Sequence, residues 1–286
     1  MKKFYTVLAA CLITAAGWAQ QPVSDAMPFI QLDYNPASLA MGSTLVPSSA
    51  VLPLSPGFAA GVAYQSYMPA ISGTEYISAG AAGSYEKLAG SLSFSRGTGE
   101  EITGEKFTPT EVLISIGLGY ALTDFLAIGA NLKYAKEQLL SDYSNNAAAV
   151  DLFVAGKIEE LDFAAGVSSL GQKVASRSTG DFSLPTTLTA ACGYEYSLED
   201  AHALRGRVKA DYYLSGCFAA GLGVEYCYSG MVSARAGYHY GGDSIIPSFA
   251  SAGIGLHVGQ FTLDAAYLFA SDVLGGSFSV SAGVRF

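Results

Sequence analysis

The carboxyl-terminal stretch constrains this chain more than any other. From Gly276 to Phe286 the residues alternate without a break. Phe278, Val280, Ala282, Val284 and Phe286 share one face of an extended strand, and Ser277, Ser279, Ser281, Gly283 and Arg285 share the other. A strand that is apolar on one side and small or polar on the other suits a wall between hydrocarbon and a polar lumen. A strand of a soluble β-sandwich has the same period, so the rest of the chain must decide between them.

Composition decides for the membrane. The 286 residues are 50% hydrophobic and only 14% charged, and the mean hydropathy is +0.32. Beyond the amino-terminal leader, no apolar run approaches the roughly 20 residues that a spanning helix needs. A backbone in hydrocarbon must satisfy its hydrogen bonds internally, so an apolar chain without such a helix points to a closed barrel. Residues 1–19 read as a secretory signal: Lys2 and Lys3, an apolar core from Phe4 to Ala16, then Gly17-Trp18-Ala19, with cleavage before Gln20. Leu8-Ala9-Ala10-Cys11 fits a lipoprotein pattern but comes too early in the apolar run. Loss of Lys2 and Lys3 leaves 13 basic side chains against 24 acidic ones, which excludes a nucleic-acid partner. Cys192, Cys217 and Cys227 then remain; an odd number without paired spacing is neither a disulfide framework nor a zinc site.

Residues 20–57 break the alternation and hold six of the ten prolines, Pro22, Pro28, Pro36, Pro47, Pro53 and Pro56. The segment is nevertheless too apolar to float as a linker. It is expected to pack within the lumen as a plug, with Leu39 and Met41 against the inner wall and Gly42 allowing a close turn. From residue 58 to 286 the alternation resumes, with strands predicted near 58–68, 74–85, 87–97, 111–121, 125–136, 147–158, 160–168, 186–197, 203–213, 216–228, 231–240, 249–258, 260–269 and 276–286. The fold class is therefore all-β, a transmembrane antiparallel β-barrel of about 14 strands with an amino-terminal luminal plug. Tyrosines gather near strand ends, as in an aromatic girdle. Leu198 to His202, Glu100 to Pro109, Gln138 to Asn146 and Ser169 to Ser183 are read mostly as extracellular loops, and Ser229-Gly230 as a tight periplasmic turn.

No nucleophile elbow, phosphate loop or His-rich cluster appears, and His202, His239 and His257 lie on distant strands, so neither an enzyme nor a cofactor is expected. Gly117-Leu118-Gly119 and Gly221-Leu222-Gly223 lie inside strands with glycine on the inward phase, where something can pack close to the wall. The inward phase also carries Lys133, Asp151, Glu195, Arg205, Arg207, Lys209, Asp211, Glu225, Arg235, His239, Asp264 and Arg285. Their mixed signs on successive strands allow opposite charges to pair across the lumen wall, as a hydrated interior or as a selectivity site. On phase alone, Val224→Arg is expected to be costly and the inward Gly223→Ser much less so.

The order of these features resembles the PorV/PorQ family of outer-membrane proteins associated with type IX secretion in Bacteroidota, which share the FadL-like barrel. The matching pieces are Asn35-Pro36-Ala37-Ser38-Leu39-Ala40-Met41-Gly42, Phe125 to Tyr134, Leu184-Pro185, Gly223-Val224-Glu225-Tyr226, Ala234-Arg235-Ala236-Gly237-Tyr238 and Leu263-Asp264-Ala265-Ala266-Tyr267. The terminal Phe286 is likewise similar to the final aromatic of such barrels. Met41-Gly42-Ser43 stands where the family usually has Met-Gly-Gly, and the chain is shorter than many members. The resemblance implies an outer-membrane protein in contact with lipid that binds secreted proteins bearing C-terminal sorting domains, or components of the secretion machinery. The alternative is a FadL-like transporter of small hydrophobic molecules with the Pro-rich segment as its gate.

Overall fold

The alternation closes on itself. In the computed structural model, which describes residues 25–46, 57–68, 73–102, 107–175, 180–199, 201–242, 246–270 and 275–286, the elements of the wall follow one another in sequence. They are β1 (Gly57–Tyr67), β2 (Thr74–Tyr85), β3 (Leu88–Thr98), β4 (Thr110–Ala121), β5 (Leu126–Leu140), β6 (Tyr143–Ile158) and β7 (Leu161–Gly171). After the short ribbon β8 (Val174–Ala175) and β9 (Asp181–Phe182) come β10 (Thr187–Glu199), β11 (His202–Tyr213), β12 (Phe218–Tyr228), β13 (Val232–Tyr240), β14 (Phe249–Val258), β15 (Phe261–Phe269) and β16 (Phe278–Arg285). The fourteen strands other than β8 and β9 form one closed antiparallel barrel, sealed where β16 pairs with β1 from Ala59↔Arg285 to Ser66↔Phe278. Closure leaves no unpaired edge, which is what hydrocarbon demands. No helix of the described residues is long and apolar enough to cross a membrane.

The outward phase is apolar and exposed, as at Ile77, Leu92, Leu118, Leu222, Val224, Ile254 and Leu263. Aromatics mark both rims: Tyr85, Tyr120, Tyr228 and Phe286 at one end, Tyr212, Tyr240, Tyr267 and Phe269 at the other. The two ends differ in their connections. At the end where β1 begins and β16 finishes, successive strands are separated by only two to four residues, as between Tyr85 and Leu88 or Val258 and Phe261; at the other end the separations include the longer ones from Thr98 to Thr110, Gly171 to Thr187, Tyr240 to Phe249 and Phe269 to Phe278. Short turns mark the periplasmic side of such barrels and long ones the extracellular side.

Two expected loops differ. Residues 138–146 form no long connection: β5 and β6 run on to a hairpin with only residues 141–142 between them. Polar side chains extend the ladder beyond the apolar belt there, with Asn145 Nδ2 donating to Glu137 Oε1 at 3.1 Å. The 198–202 connection is a periplasmic turn, because β10 continues to Glu199 and β11 starts at His202. The register also slips in β6–β7 around Asp151, where Ser169 has φ of 55° and its N–H donates to Asp151 Oδ1 at 2.8 Å. This bulge has no local sequence signature.

The amino-terminal segment forms one 3₁₀ turn, Pro28–Gln31, and one helical turn, α1 (Pro36–Leu39). Asn35 caps α1, its Oδ1 accepting from the Ala37 N–H at 2.9 Å, and Pro36 fits the first helical position because no partner awaits its missing N–H. The expected cleavage before Gln20 and the stretch from 47 to 56 lie outside the described residues.

Candidate functional site

The amino-terminal segment meets the wall over glycines. A Cβ on Gly223 would lie 2.4 Å from the Met41 carbonyl oxygen, one on Gly221 2.5 Å from the Gly42 carbonyl oxygen, one on Gly237 2.2 Å from the Gly42 nitrogen, and one on Gly253 2.4 Å from the Ala40 Cβ. Three neighbouring strands, β12, β13 and β14, thus present a seat without side chains, and the backbone of Ala40–Gly42 lies directly on it. Gly42 has φ of +69°, and a Cβ there would sit 2.5 Å from the Tyr238 carbonyl oxygen, so both partners must be glycine. Gly42 N–H donates to Ser251 Oγ at 3.3 Å. Leu39 and Met41 are buried beside this seat.

At the far side of the lumen Gln31 holds the segment to β7 and β10. Its Nε2 donates to the Pro185 carbonyl at 2.7 Å and lies within hydrogen-bonding distance of the hydroxyls of Ser168, Ser169 and Thr187. Sequence reasoning missed Gln31, because nothing local distinguishes a glutamine that reaches residues more than 130 positions away. Asp33, in the same segment, accepts from the Asn35 N–H at 3.0 Å. Enclosure raises its carboxyl above the usual range, opposed by hydrogen bonds from Ser38 and Asn35 and by the nearby Lys209 charge.

The extracellular half of the lumen holds an apolar core, with the facing carboxylates Glu111 and Glu137 of β4 and β5 beside it and the Tyr76 hydroxyl donating to Glu111 Oε2 at 2.6 Å. Met27, Phe29, Ile30 and Leu39 of the segment pack in one core with Tyr67, Tyr76, Leu113, Leu184, Phe249 and Leu268 of the wall and its connections. Tyr34 packs on Tyr76 with ring centroids 5.3 Å apart. Near the extracellular strand ends several inward-facing positions are large and apolar, as the sequence shows at Tyr67, Leu113, Phe249 and Leu268.

The periplasmic half is ionic. Glu195, Arg205, Glu225, Arg235 and Asp264 form one chain of ion pairs around the wall. Arg205 Nη1 lies 3.0 Å from Glu225, Arg235 Nη1 lies 2.6 Å from Asp264, and the Arg205–Glu195 and Arg235–Glu225 contacts are also direct. Arg207 pairs with Asp162 at 2.6 Å. Two of these bridges cross an intervening strand over glycine: a Cβ on Gly255 of β14 would meet Asp264 and Arg235, and one on Gly193 of β10 would meet Asp162 and Arg207. Higher up, Lys133 pairs with Asp151 at 2.8 Å and Lys209 with Asp211 at 3.1 Å. With Gln31 and Asp33 they line a cavity of about 30 Å³, room for a water or two. His239 is buried and its ring stacks on Phe249, centroids 5.1 Å apart. Arg285, by contrast, is exposed at the periplasmic end of β16 and joins no ion pair among the described residues.

A cleft of about 650 Å³ indents the extracellular end of β13 to β16. Phe249 and Leu268 of the luminal core line it together with the lipid-facing Tyr238, Tyr267 and Phe269. The cleft thus brings residues of the luminal core and of the outer face to one surface.

The same barrel occurs in solved outer-membrane proteins. The toluene transporter TbuX of Ralstonia pickettii matches with a TM-score of 0.60 at 11% identity, over 90% of this chain and 99% of that one. The CymD monoaromatic hydrocarbon channel matches at 0.58 and 13%, over 88% and 97%. The Pseudomonas putida toluene transporter TodX matches at 0.56 and 12%, over 90% and 98%. The likeness is one of fold. It agrees with a closed fourteen-strand barrel, and that architecture with its exposed apolar outer face places the chain in the outer membrane of a Gram-negative bacterium. All three neighbours are described as transporters or channels, and a PorV/PorQ identity has no support from them. No family model and no curated protein matches the chain by sequence.

Proposed function

We propose that the protein is a passive outer-membrane transporter of small hydrophobic molecules, with the amino-terminal segment as its gate. One observation carries the reading: the cleft at the extracellular end of β13 to β16, whose floor is Phe249 and Leu268 of the luminal core and whose rim includes the lipid-facing Tyr238, Tyr267 and Phe269. A hydrophobic solute gains free energy by resting on such residues, on the order of 25 cal/mol per Å² of apolar surface withdrawn from water. The ion-paired lower lumen offers it nothing comparable, so its favourable route lies in the upper half and along the wall. The fold shared with the toluene transporters and the monoaromatic hydrocarbon channel agrees with this reading. The chemical step is partitioning alone; no bond is made or broken.

The resemblance of residues 35–42 and their companions to PorV/PorQ proteins supports a second reading, in which the rim binds secreted proteins with C-terminal sorting domains. Two phenotypes of a deletion strain separate the two. Slower uptake of a small hydrophobic solute with unchanged surface proteins is the expected result. Loss of surface proteins that carry sorting domains, with normal uptake, overturns the transport reading in favour of secretion.

A further inference from the structure

The lipid-facing side of the wall is almost free of charge, and its two basic side chains stand together. Among the described strand residues, Lys133, Lys157, Arg205, Arg207, Lys209, Arg235 and Arg285 share the inward phase. Only Arg96 and Lys136 take the outward phase, and both are exposed. Register puts them in one row: Arg96 of β3 and Lys136 of β5 each pair with Val112 of β4. Strand spacing then separates their backbones by about 10 Å.

The height of this row is informative. One pair of residues toward the membrane centre, the outward row reads Ala79, Phe94, Ile114, Tyr134 and Ala148; one pair toward the extracellular side, it reads Glu75, Thr98, Thr110, Gln138 and Ser144. Arg96 and Lys136 thus occupy the line where the apolar belt gives way to polar side chains, on the extracellular side. Neither has an ion-pair partner among the described residues. The outward anion in the next row, Glu75 of β2, is engaged by the hydroxyl of Tyr64 on the other flank.

A cation on a lipid-facing strand is tolerated only near the interface, where its stem lies along acyl chains and its head reaches the polar layer. What it meets there sets its purpose. The outer leaflet of a Gram-negative outer membrane presents phosphorylated glycolipid, and guanidinium and ammonium groups are the donors that phosphate recruits. The chain as a whole carries a net charge of -9 and would repel such a lipid, so attraction must come from local cations.

We propose that Arg96 and Lys136 form a seat for the phosphates of one outer-leaflet glycolipid, whose acyl chains run down over Phe94 and Tyr134. The seat is independent of the lumen and of whatever the lumen carries. It orients the barrel at the height of its extracellular rim and tethers β3 and β5 through a shared lipid.

The test uses the intact mature protein in detergent and native mass spectrometry. The probes are bisphosphorylated lipid A and the same lipid after enzymatic removal of its phosphates. The wild-type protein should retain the phosphorylated lipid at least about tenfold better than the dephosphorylated one, and this preference should collapse in the Arg96→Gln/Lys136→Gln double variant. Arg96→Lys should keep most of the preference, and Lys87→Gln, in a periplasmic turn, should keep all of it. Equal retention of both lipids by the wild type overturns the proposal without reference to any variant. So does a double variant with wild-type preference, or a loss of the same size in Lys87→Gln, which would mark unspecific attraction.

Discussion

Gly223 shows how closely the amino-terminal segment rests on the wall. By phase alone it is an inward position open to a small polar side chain, but its Cβ would press into the Met41 backbone, which cannot swing aside as a side chain can. Gly223→Ser should therefore cost roughly 1–3 kcal/mol, close to the roughly 2–4 kcal/mol for Val224→Arg on the lipid face. Phase alone predicted a wide gap between them. The two should differ in kind. Val224→Arg should weaken folding of the whole barrel in lipid, whereas Gly223→Ser should lift residues 40–42 and make the segment sensitive to limited proteolysis while the wall stays folded. A protease-resistant segment in Gly223→Ser would contradict the seat. Asp33 supplies a second test at this scale. Its carboxyl is raised, so the seated state holds a proton more tightly than the released one, and seating strengthens as pH falls through the range just above 3.8. Amide exchange of residues 37–42, corrected for intrinsic rate, should slow over that range in the wild type. In Asp33→Asn that dependence should vanish.

Among the elements, the ion-pair chain was the most legible. Period two assigns a side to every strand residue, and opposite charges on successive strands of one phase have few other partners, so Arg205, Glu225 and Arg235 could be paired from sequence. The crossings over Gly193 and Gly255 could not, because they join strands that are not neighbours. Arg235→Met leaves Glu225 and Asp264 without this partner and should lower stability in lipid by about 3 kcal/mol, as loss of one side of a buried pair does. Gly255→Ala should act in the same direction by forcing Arg235 and Asp264 apart. An unchanged unfolding midpoint in Arg235→Met would mean that lumen water already screens the chain. The strand ends were less legible. The 138–146 hairpin is polar because it stands clear of the apolar belt, and polarity by itself does not tell a projecting ladder from a loop.

For the whole molecule, closure followed from the sequence, since an apolar chain of alternating strands has no other way to satisfy its backbone in lipid. The division of the lumen did not follow. Met27, Phe29, Ile30 and Leu39 share a core with Leu113, Phe249 and Leu268 of distant strands, and contacts at such separations leave no local signature. The apolar core above the lower ion-pair chain underlies the transport reading, and it places the decisive residues at the floor of the cleft. The most direct measurement is the initial rate of uptake of a radiolabelled small hydrophobic solute by cells carrying equal outer-membrane amounts of wild type or Leu268→Glu. A charge there makes the apolar path cost a buried carboxylate, and uptake should fall at least about tenfold, with the barrel still folded by heat-modifiable mobility. Uptake at the wild-type rate in folded Leu268→Glu would contradict the account.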